Sequence, residues 1–310
     1  MAKFLITGGA GFVGSHLTDQ LISGGHNVVI LDDLSNGSIE NISHHKDVIL
    51  IKGSVTEIPS EISSQSYDGI FHLATHPRSF SLSNPLKDVE VNAKGMLNVL
   101  EIAKKQNIKL VFTSNSGICG TPDYVPVDEN HEDKPSTPYD ANKLVSEYYC
   151  KIYHNIFGVK SIIFRLATVY GTRQKVNLQL GWRPVVATLV TDVYRGNSPT
   201  INGTGKQTRD LIHVSDVVQG LIKGFNSKIN NAEVFLLSTN TETSVNDLLE
   251  LIFKIVGKKL GIKKTPANPG DIERMFLSYQ KAKNAVGFEP LVSLNDGIED
   301  YLNWLKQKNV

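Results

Sequence analysis

Residues Lys3 to Asp32 read KFLITGGAGFVGSHLTDQLISGGHNVVILD. The apolar run Phe4-Leu5-Ile6, bounded by Thr7 and a glycine cluster, predicts a buried strand. Gly8-x-x-Gly11-x-x-Gly14 then leads into a segment with helical period at Val13, Leu17 and Leu21. Gly24-Gly25 is expected to end that helix, where the chain needs φ > 0. A second apolar run, Val28 to Leu31, finishes on Asp32. The unit is therefore strand, glycine turn, helix, strand, carboxylate.

That order has a chemical meaning. Glycines let the backbone approach a diphosphate with no Cβ in the way, and the helix start aims free N–H groups and its positive dipole end at the charge. Gly8, Gly11, Phe12 and Val13 would line it. Asp32 follows Gly8 by 24 positions, near the spacing of a carboxylate that accepts from an adenosine ribose diol. A carboxylate there repels the extra phosphate of NADP, so the cofactor read from these residues is NAD. A glycine turn without a ligand is the competing reading. The strand before, the helix after and the acid ending the next strand argue against it.

The rest of the composition narrows the class. The chain has 310 residues, is 40% hydrophobic and carries a net charge of +1. That length suffices for one large core or two lobes. The near-neutral charge gives no reason to expect nucleic acid or an acidic membrane surface. Lys104-Lys105 and the four lysines between Lys258 and Lys264 read as solvated helix ends. Two cysteines, Cys119 and Cys150, make no disulfide framework and suit a reducing compartment. No apolar run reaches membrane-spanning length and no leader pattern opens the chain, so a soluble cytoplasmic protein is expected. His44-His45 and the other histidines lack metal-ligand spacing, and no metal is expected.

Further apolar runs at Val48–Ile51, Ile70–Leu73, Lys109–Ser114 and Ser161–Phe164 alternate with helical patterns. This predicts an α/β fold, a Rossmann-type doubly wound parallel sheet covered on both faces. The polar loop Asp33 to Lys46 should lie over the adenosine, which brings Asp33 and Asn36 to the cofactor. Ser54 and Val55, after the third strand, are placed to meet the adenine. Leu73 and Ala74 end the fourth strand, where ligands of such sheets sit. Thr75, His76, Arg78, Ser79 and Ser81 follow in the same loop, and Arg78 could meet a phosphate or carboxylate. Pro85 to Gln106 reads as one long helix interrupted by Asn92-x-x-Gly95. Asparagine is unfavourable inside a helix, so Asn92 is expected to bond something specific.

The fifth strand ends in a polar cluster, Thr113 to Gly117, where a catalytic hydroxyl would be presented. The long loop Gly120 to Thr137 is expected to be functional. Thr137 is expected to cap a helix with Pro138 at its first position, running to about Ile156 and stopping at Gly158. Tyr139 and Lys143 stand at i and i+4 and share one face. A phenol titrates near 10, and a nearby ammonium favours its phenolate. Tyr-x-x-x-Lys after the fifth strand of a nucleotide fold is the expected acid–base apparatus. Val245–Val256 and Leu294–Leu305 read as amphipathic helices. Another helix opens at Trp182-Arg183-Pro184 and runs to Tyr194.

The sequence resembles the extended short-chain dehydrogenase/reductase family, and within it the NAD-dependent nucleotide-sugar epimerases and dehydratases. The matching residues are Thr7 to His16, Leu31 to Leu34, Phe71 to Ala74, Asn92-x-x-Gly95, Tyr139-x-x-x-Lys143, Arg165 to Gln174, Asn202 to Asp216 and Pro269-Gly270-Asp271-x-x-Arg274. They span essentially the whole chain. The resemblance implies a seven-stranded nucleotide-binding domain over 1–171, to which 210–237 returns. It also implies a smaller, interleaved C-terminal substrate lobe from 172–209 and 238–310. It implies that Tyr139 takes a proton from a sugar hydroxyl, that Lys143 also bonds the nicotinamide ribose, and that Asn92 serves the cofactor site. Arg209 and Arg274 match diphosphate holders, Asp271 a nucleotide-ribose holder, and Thr168 faces the sugar. The helices carrying Asn92 and Tyr139 form a homodimer interface in this family.

Three departures face the sugar. The family's catalytic Ser or Thr falls at Asn115, flanked by Ser114 and Ser116. The tyrosine of the same motif is Cys119, and the asparagine of the later motif is Thr168. Either a neighbouring serine shifts in or the Asn115 amide orients the hydroxyl. Dehydratases and UDP-glucuronate decarboxylases of the family place an acid just after the catalytic hydroxyl. Ser116 and Gly117 stand there, so no local carboxylate is expected. The reading reached from sequence is an NAD-dependent nucleotide-sugar 4-epimerase acting on a UDP-hexose. The alternatives are a dehydratase or decarboxylase, or a protein that binds NAD and a nucleotide sugar without turnover.

Overall fold

Strand β1 (Lys3–Thr7) lies inside a seven-stranded sheet with β2 (Asn27–Asp32), β3 (Ile49–Lys52), β4 (Gly69–His72), β5 (Lys109–Asn115), β6 (Ser161–Leu166) and β7 (Asn231–Leu237). The order is β7-β6-β5-β4-β1-β2-β3. Every neighbouring pair is parallel. The chain winds outward from β1 in both directions, so the strand order reverses between β1 and β4. Ligands of such sheets bind at the carboxyl ends beside that switch. The computed structural model describes residues 1–176, 183–267 and 272–308. Asp271 and Trp182 lie outside the described residues.

Both faces of the sheet are covered, as a parallel sheet requires. Helix α1 (Phe12–Ser23) buries Leu17 and Leu21 on one face, with Val217 and Leu221 of the helix Val214–Asn226. On the other face lie Val99, Leu100 and Ala103 of α2 (Gly95–Gln106) and Cys150 of α3 (Pro138–Phe157). A third core joins Val190, Ile252 and Tyr301 from the helices Val185–Arg195, Val245–Val256 and Leu294–Gln307. Fully burying such side chains contributes about 1.5–3 kcal/mol each.

Two local expectations change. Gly24 has φ −76° and only Gly25 is left-handed, at +77°, so α1 needs one permissive residue rather than two. The helix expected from Pro85 to Gln106 is not uniform. It starts as Pro85–Asp88, widens into a π turn over Val89–Lys94, and resumes as α2. π turns frequently mark functional sites, and this one holds Asn92. Gly95 follows it, and a Cβ there would stand 2.6 Å from Val55 Cγ2. Helix α3 begins where expected: Thr137 Oγ1 accepts from the Asp140 N–H at 3.2 Å, Pro138 occupies the first turn, and Gly158 closes the helix at φ +70°.

Candidate active site

The glycine turn is as tight as its sequence requires. Gly8 has φ +72°, and a Cβ on it would stand 2.7 Å from the Ala74 nitrogen. One on Gly14 would collide with the Gly8 carbonyl oxygen. Gly11 supplies no side-chain cap to α1, so the N–H groups of Phe12 and Val13 are left for a ligand. Thr7 fastens the next strand alongside: its hydroxyl meets His72 Nδ1 at 2.7 Å and accepts from the Ala74 N–H at 3.3 Å. The end of β4, with Leu73 and Ala74, is thereby pressed against the turn.

Asp32 is buried at the end of β2. Its Oδ2 accepts from the Ala10 N–H and its Oδ1 from the Leu34 N–H, each at 2.9 Å. Burial raises its pKa, while those two bonds lower it. Each oxygen keeps a lone pair for a ribose hydroxyl. Glycine is also needed at Gly37, where a Cβ would stand 2.9 Å from Asp32 Oδ1. The cradle and this carboxylate fit a dinucleotide. Asp33 accepts from Ser35 N–H at 2.9 Å, and Asn36 is exposed beside it. Ser54 Oγ accepts from Thr56 N–H at 3.2 Å. Val55 points into the core, and its carbonyl accepts from Asn98 at 2.8 Å.

Asn92 does bond something specific. Its Oδ1 accepts from Thr75 Oγ1 at 2.8 Å and from His76 N–H at 3.0 Å, and its Nδ2 donates to His76 O at 3.2 Å. The π turn thus clamps the loop leaving β4. Thr75 also stands beside Tyr139, where its hydroxyl favours the phenolate. Topology brought Thr75 near the site, but nothing in the sequence linked it to Tyr139.

Lys143 donates to Thr113 O at 2.9 Å, tying α3 to the end of β5. Burial pushes its ammonium down to about 8, against the pull of Asp88 and Glu147. The same burial pushes Tyr139 up to about 12, with Asp140 and Asp88 adding to it. The expectation that Lys143 lowers the phenol is therefore corrected: desolvation outweighs it in the protein alone. Lys143 Nζ stands 5.8 Å from the Tyr139 ring centroid and 4.7 Å from that of Phe112.

The candidate hydroxyl residues separate. Ser114 is buried and donates to Glu147 Oε1 at 2.6 Å, so it is committed to the core beneath the site. Asn115, at the end of β5, is half-buried, and its Oδ1 accepts from Gly117 N–H at 2.5 Å. Ser116 opens the 3-10 turn Ser116–Cys119. Cys119 fills apolar space against Met275, at 3.8 Å between sulfurs. The expected lack of a local carboxylate is also corrected. Asp140, from α3, is fully buried, and its Oδ1 stands 2.7 Å from where a Gly117 Cβ would be. A strand-end acid is absent, yet a helix delivers one to the same place. Arg78 meets Asp140 Oδ2 at 3.3 Å and is half-exposed.

Thr168 opens the strand Thr168–Tyr170, paired with Leu211–His213. Arg209 donates to Ile272 O at 2.7 Å, and Arg274 forks onto Glu242 with two 2.8 Å bonds. The two arginines share one corner, with Arg274 engaged by a carboxylate. His44 and His45 both meet Asp19 Oδ1, at 2.9 and 2.8 Å, a partner their spacing could not reveal. Arg173 takes the other oxygen at 2.5 Å and opposes a cation there by charge.

A diphosphate cradle, a ribose-binding carboxylate and a Tyr–Lys pair at one sheet end define a dinucleotide-dependent acid–base enzyme. The family model for the NAD dependent epimerase/dehydratase family matches residues 4–235. The chain belongs to that family, and its cofactor is NAD. It is 32% identical to UDP-glucose 4-epimerase of Mycolicibacterium smegmatis, over 99% of each chain. It is 33% identical to UDP-glucuronic acid decarboxylase 1 of Danio rerio, over 99% of this chain and 73% of that one. Among solved structures, UDP-glucose 4-epimerase of Thermotoga maritima with UDP-glucose superposes with a TM-score of 0.93 at 32% identity, covering 99% of this chain and 100% of that one.

Proposed function

We propose that the protein is a nucleotide-sugar 4-epimerase acting on a UDP-hexose. The observation that carries the reading is the Tyr139–Lys143 pair, tied to the end of β5 through Thr113 O, on the chain that carries the glycine cradle. Bound NAD supplies a hydride acceptor and donor. Tyr139 takes the proton of the sugar 4-hydroxyl as that carbon becomes a ketone, and returns it when the ketone is reduced on its other face. To take that proton Tyr139 must be ionised; burial in the protein alone holds the phenol at about 12, and the positive charges of Lys143 and of a bound oxidised nicotinamide would favour the phenolate. Thr75, held by Asn92, stands beside the phenol, Lys143 holds a positive charge near it, and Arg78, Thr168, Arg209, Asp271 and Arg274 are the residues proposed to face the nucleotide sugar. The relatives that act on UDP-sugars support the choice of nucleotide.

The exposed apolar stripe Val145, Tyr148, Ile152 and Ile156 on α3, with Leu86 and Val89 beside it, supports a homodimer joined through these helices. No helix among the described residues is long and apolar enough to cross a membrane. The two buried free cysteines suit the cytoplasm.

Elimination or decarboxylation is the second reading, favoured by the Asp140 carboxylate against Gly117. Anomeric-proton NMR of UDP-sugars incubated with the enzyme distinguishes them. A 4-epimer supports the first, and a new keto-sugar or pentose replaces it with the second.

A further inference from the structure

Two buried polar atoms, on side chains that converge on Gly117, have no partner within the protein. The first is Asn115 Nδ2. The amide cannot turn over to hide it, because its Oδ1 accepts from Gly117 N–H at 2.5 Å, and the flipped amide would face N–H with N–H. The second is Asp140 Oδ1. The other oxygen of that carboxylate is fully used: it accepts from Thr137 Oγ1 at 2.7 Å, Arg78 at 3.3 Å and Ser136 Oγ at 3.4 Å. Capping α3 therefore explains Oδ2 and leaves Oδ1 unexplained.

Both side chains press on the same residue. A Cβ on Gly117 would stand 2.6 Å from Asn115 Oδ1 and 2.7 Å from Asp140 Oδ1. Only glycine leaves that space open. One unpaired atom is a donor and the other an acceptor, and buried polar groups are normally satisfied. The group that answers both at once is a hydroxyl, which donates one bond and accepts another.

We propose that Asn115 and Asp140 together receive one hydroxyl of the sugar, which makes Asp140 a specificity-determining residue. This rests on the nucleotide-sugar reading above. The Asn115 amide donates to the hydroxyl oxygen, and Asp140 Oδ1 accepts its proton. The pair thus selects a sugar that presents a hydroxyl at this position.

The test is calorimetric binding to NAD-loaded protein, in a Tyr139→Phe background so that no sugar turns over. The probes are UDP-glucose and its 2-, 3-, 4- and 6-deoxy forms. One deoxy form is expected to bind at least about tenfold more weakly than UDP-glucose, since a site built to bond a hydroxyl discriminates against its loss. Asp140→Asn turns the acceptor into a donor while keeping an oxygen for the Thr137 cap. In that variant the penalty for the same deoxy form is expected to shrink to within about twofold. Asn115→Ala gives the same collapse through the other partner and serves if Asp140→Asn does not fold. Equal binding of all deoxy forms by the parent, or a penalty that persists in both variants, overturns the proposal while leaving the function intact. Failure of any UDP-sugar to bind overturns the nucleotide-sugar reading, and this inference with it.

Discussion

Ser114 donates its hydroxyl to Glu147 at 2.6 Å, and Glu147 in turn receives Arg165 at 2.8 and 2.9 Å. The serine nearest in type to the family's catalytic hydroxyl therefore belongs to a buried ionic network, and Asn115 is the residue proposed to meet the sugar. Ser114→Ala is expected to leave turnover within about threefold of wild type. It should lower unfolding free energy by about 1–3 kcal/mol, because Glu147 loses a buried donor. Asn115→Ala should cost about 100-fold in kcat, with about 0.5–2 kcal/mol of stability lost with the bond to Gly117 N–H. Parallel kinetics and urea melts on the two variants check this. A larger loss of kcat in Ser114→Ala than in Asn115→Ala would exchange their roles.

Thr75 bonds Asn92 and stands beside Tyr139. Thr75→Val keeps the shape and removes the hydroxyl. We expect kcat to fall at least about tenfold, with stability reduced by about 1 kcal/mol, since Asn92 Oδ1 retains the His76 N–H. Steady-state kinetics with thermal melts decide it. Unchanged kcat would show that the phenol needs no such support.

Asp32 is proposed to set cofactor choice. Wild-type protein stripped of cofactor should bind NAD more tightly than NADP, and Asp32→Asn should narrow that ratio by about tenfold or more, or about 1.4 kcal/mol. Titration with both dinucleotides measures it. A ratio unmoved by the substitution would place discrimination elsewhere.

His72 is buried and stacked on Phe112 beside Lys143, and burial pushes its imidazole down to about 3. The unfolded chain takes up this proton near 6.5. Between those values the unfolded state binds more protons, so stability falls as pH drops from about 6.5 toward 3. This group adds nothing above that window. Its steepest contribution is about 1.4 kcal/mol per pH unit. His72→Gln should flatten the acid limb of stability against pH by up to that slope, as read from denaturant unfolding between pH 4 and 7.

The nucleotide half of the site was legible because its logic is local. Gly8, Gly14 and Asp32 declare themselves through one strand–turn–helix–strand unit, and Thr137-Pro138 marks the start of α3 by capping chemistry alone. The sugar half depends on contacts between distant segments. Asp140 reaches Gly117 from another element, Thr75 meets Tyr139 through a loop held by Asn92, and Asp19 joins His44 and His45 across a turn of fold. None of these has a sequence spacing to read. The tuning of Tyr139 likewise turned on burial, which a Tyr-x-x-x-Lys pattern does not report.

The central claim is that Tyr139 performs reversible proton transfer on the 4-hydroxyl of a UDP-hexose. The most direct measurement follows the anomeric protons of UDP-glucose and UDP-galactose by NMR, with purified protein and no added cofactor, for wild type and Tyr139→Phe. The account predicts that wild type converts each sugar into the other, and that the variant, still carrying NAD, loses at least about 100-fold of that rate. Interconversion by the variant at the wild-type rate, or no interconversion by NAD-loaded wild type, would contradict it.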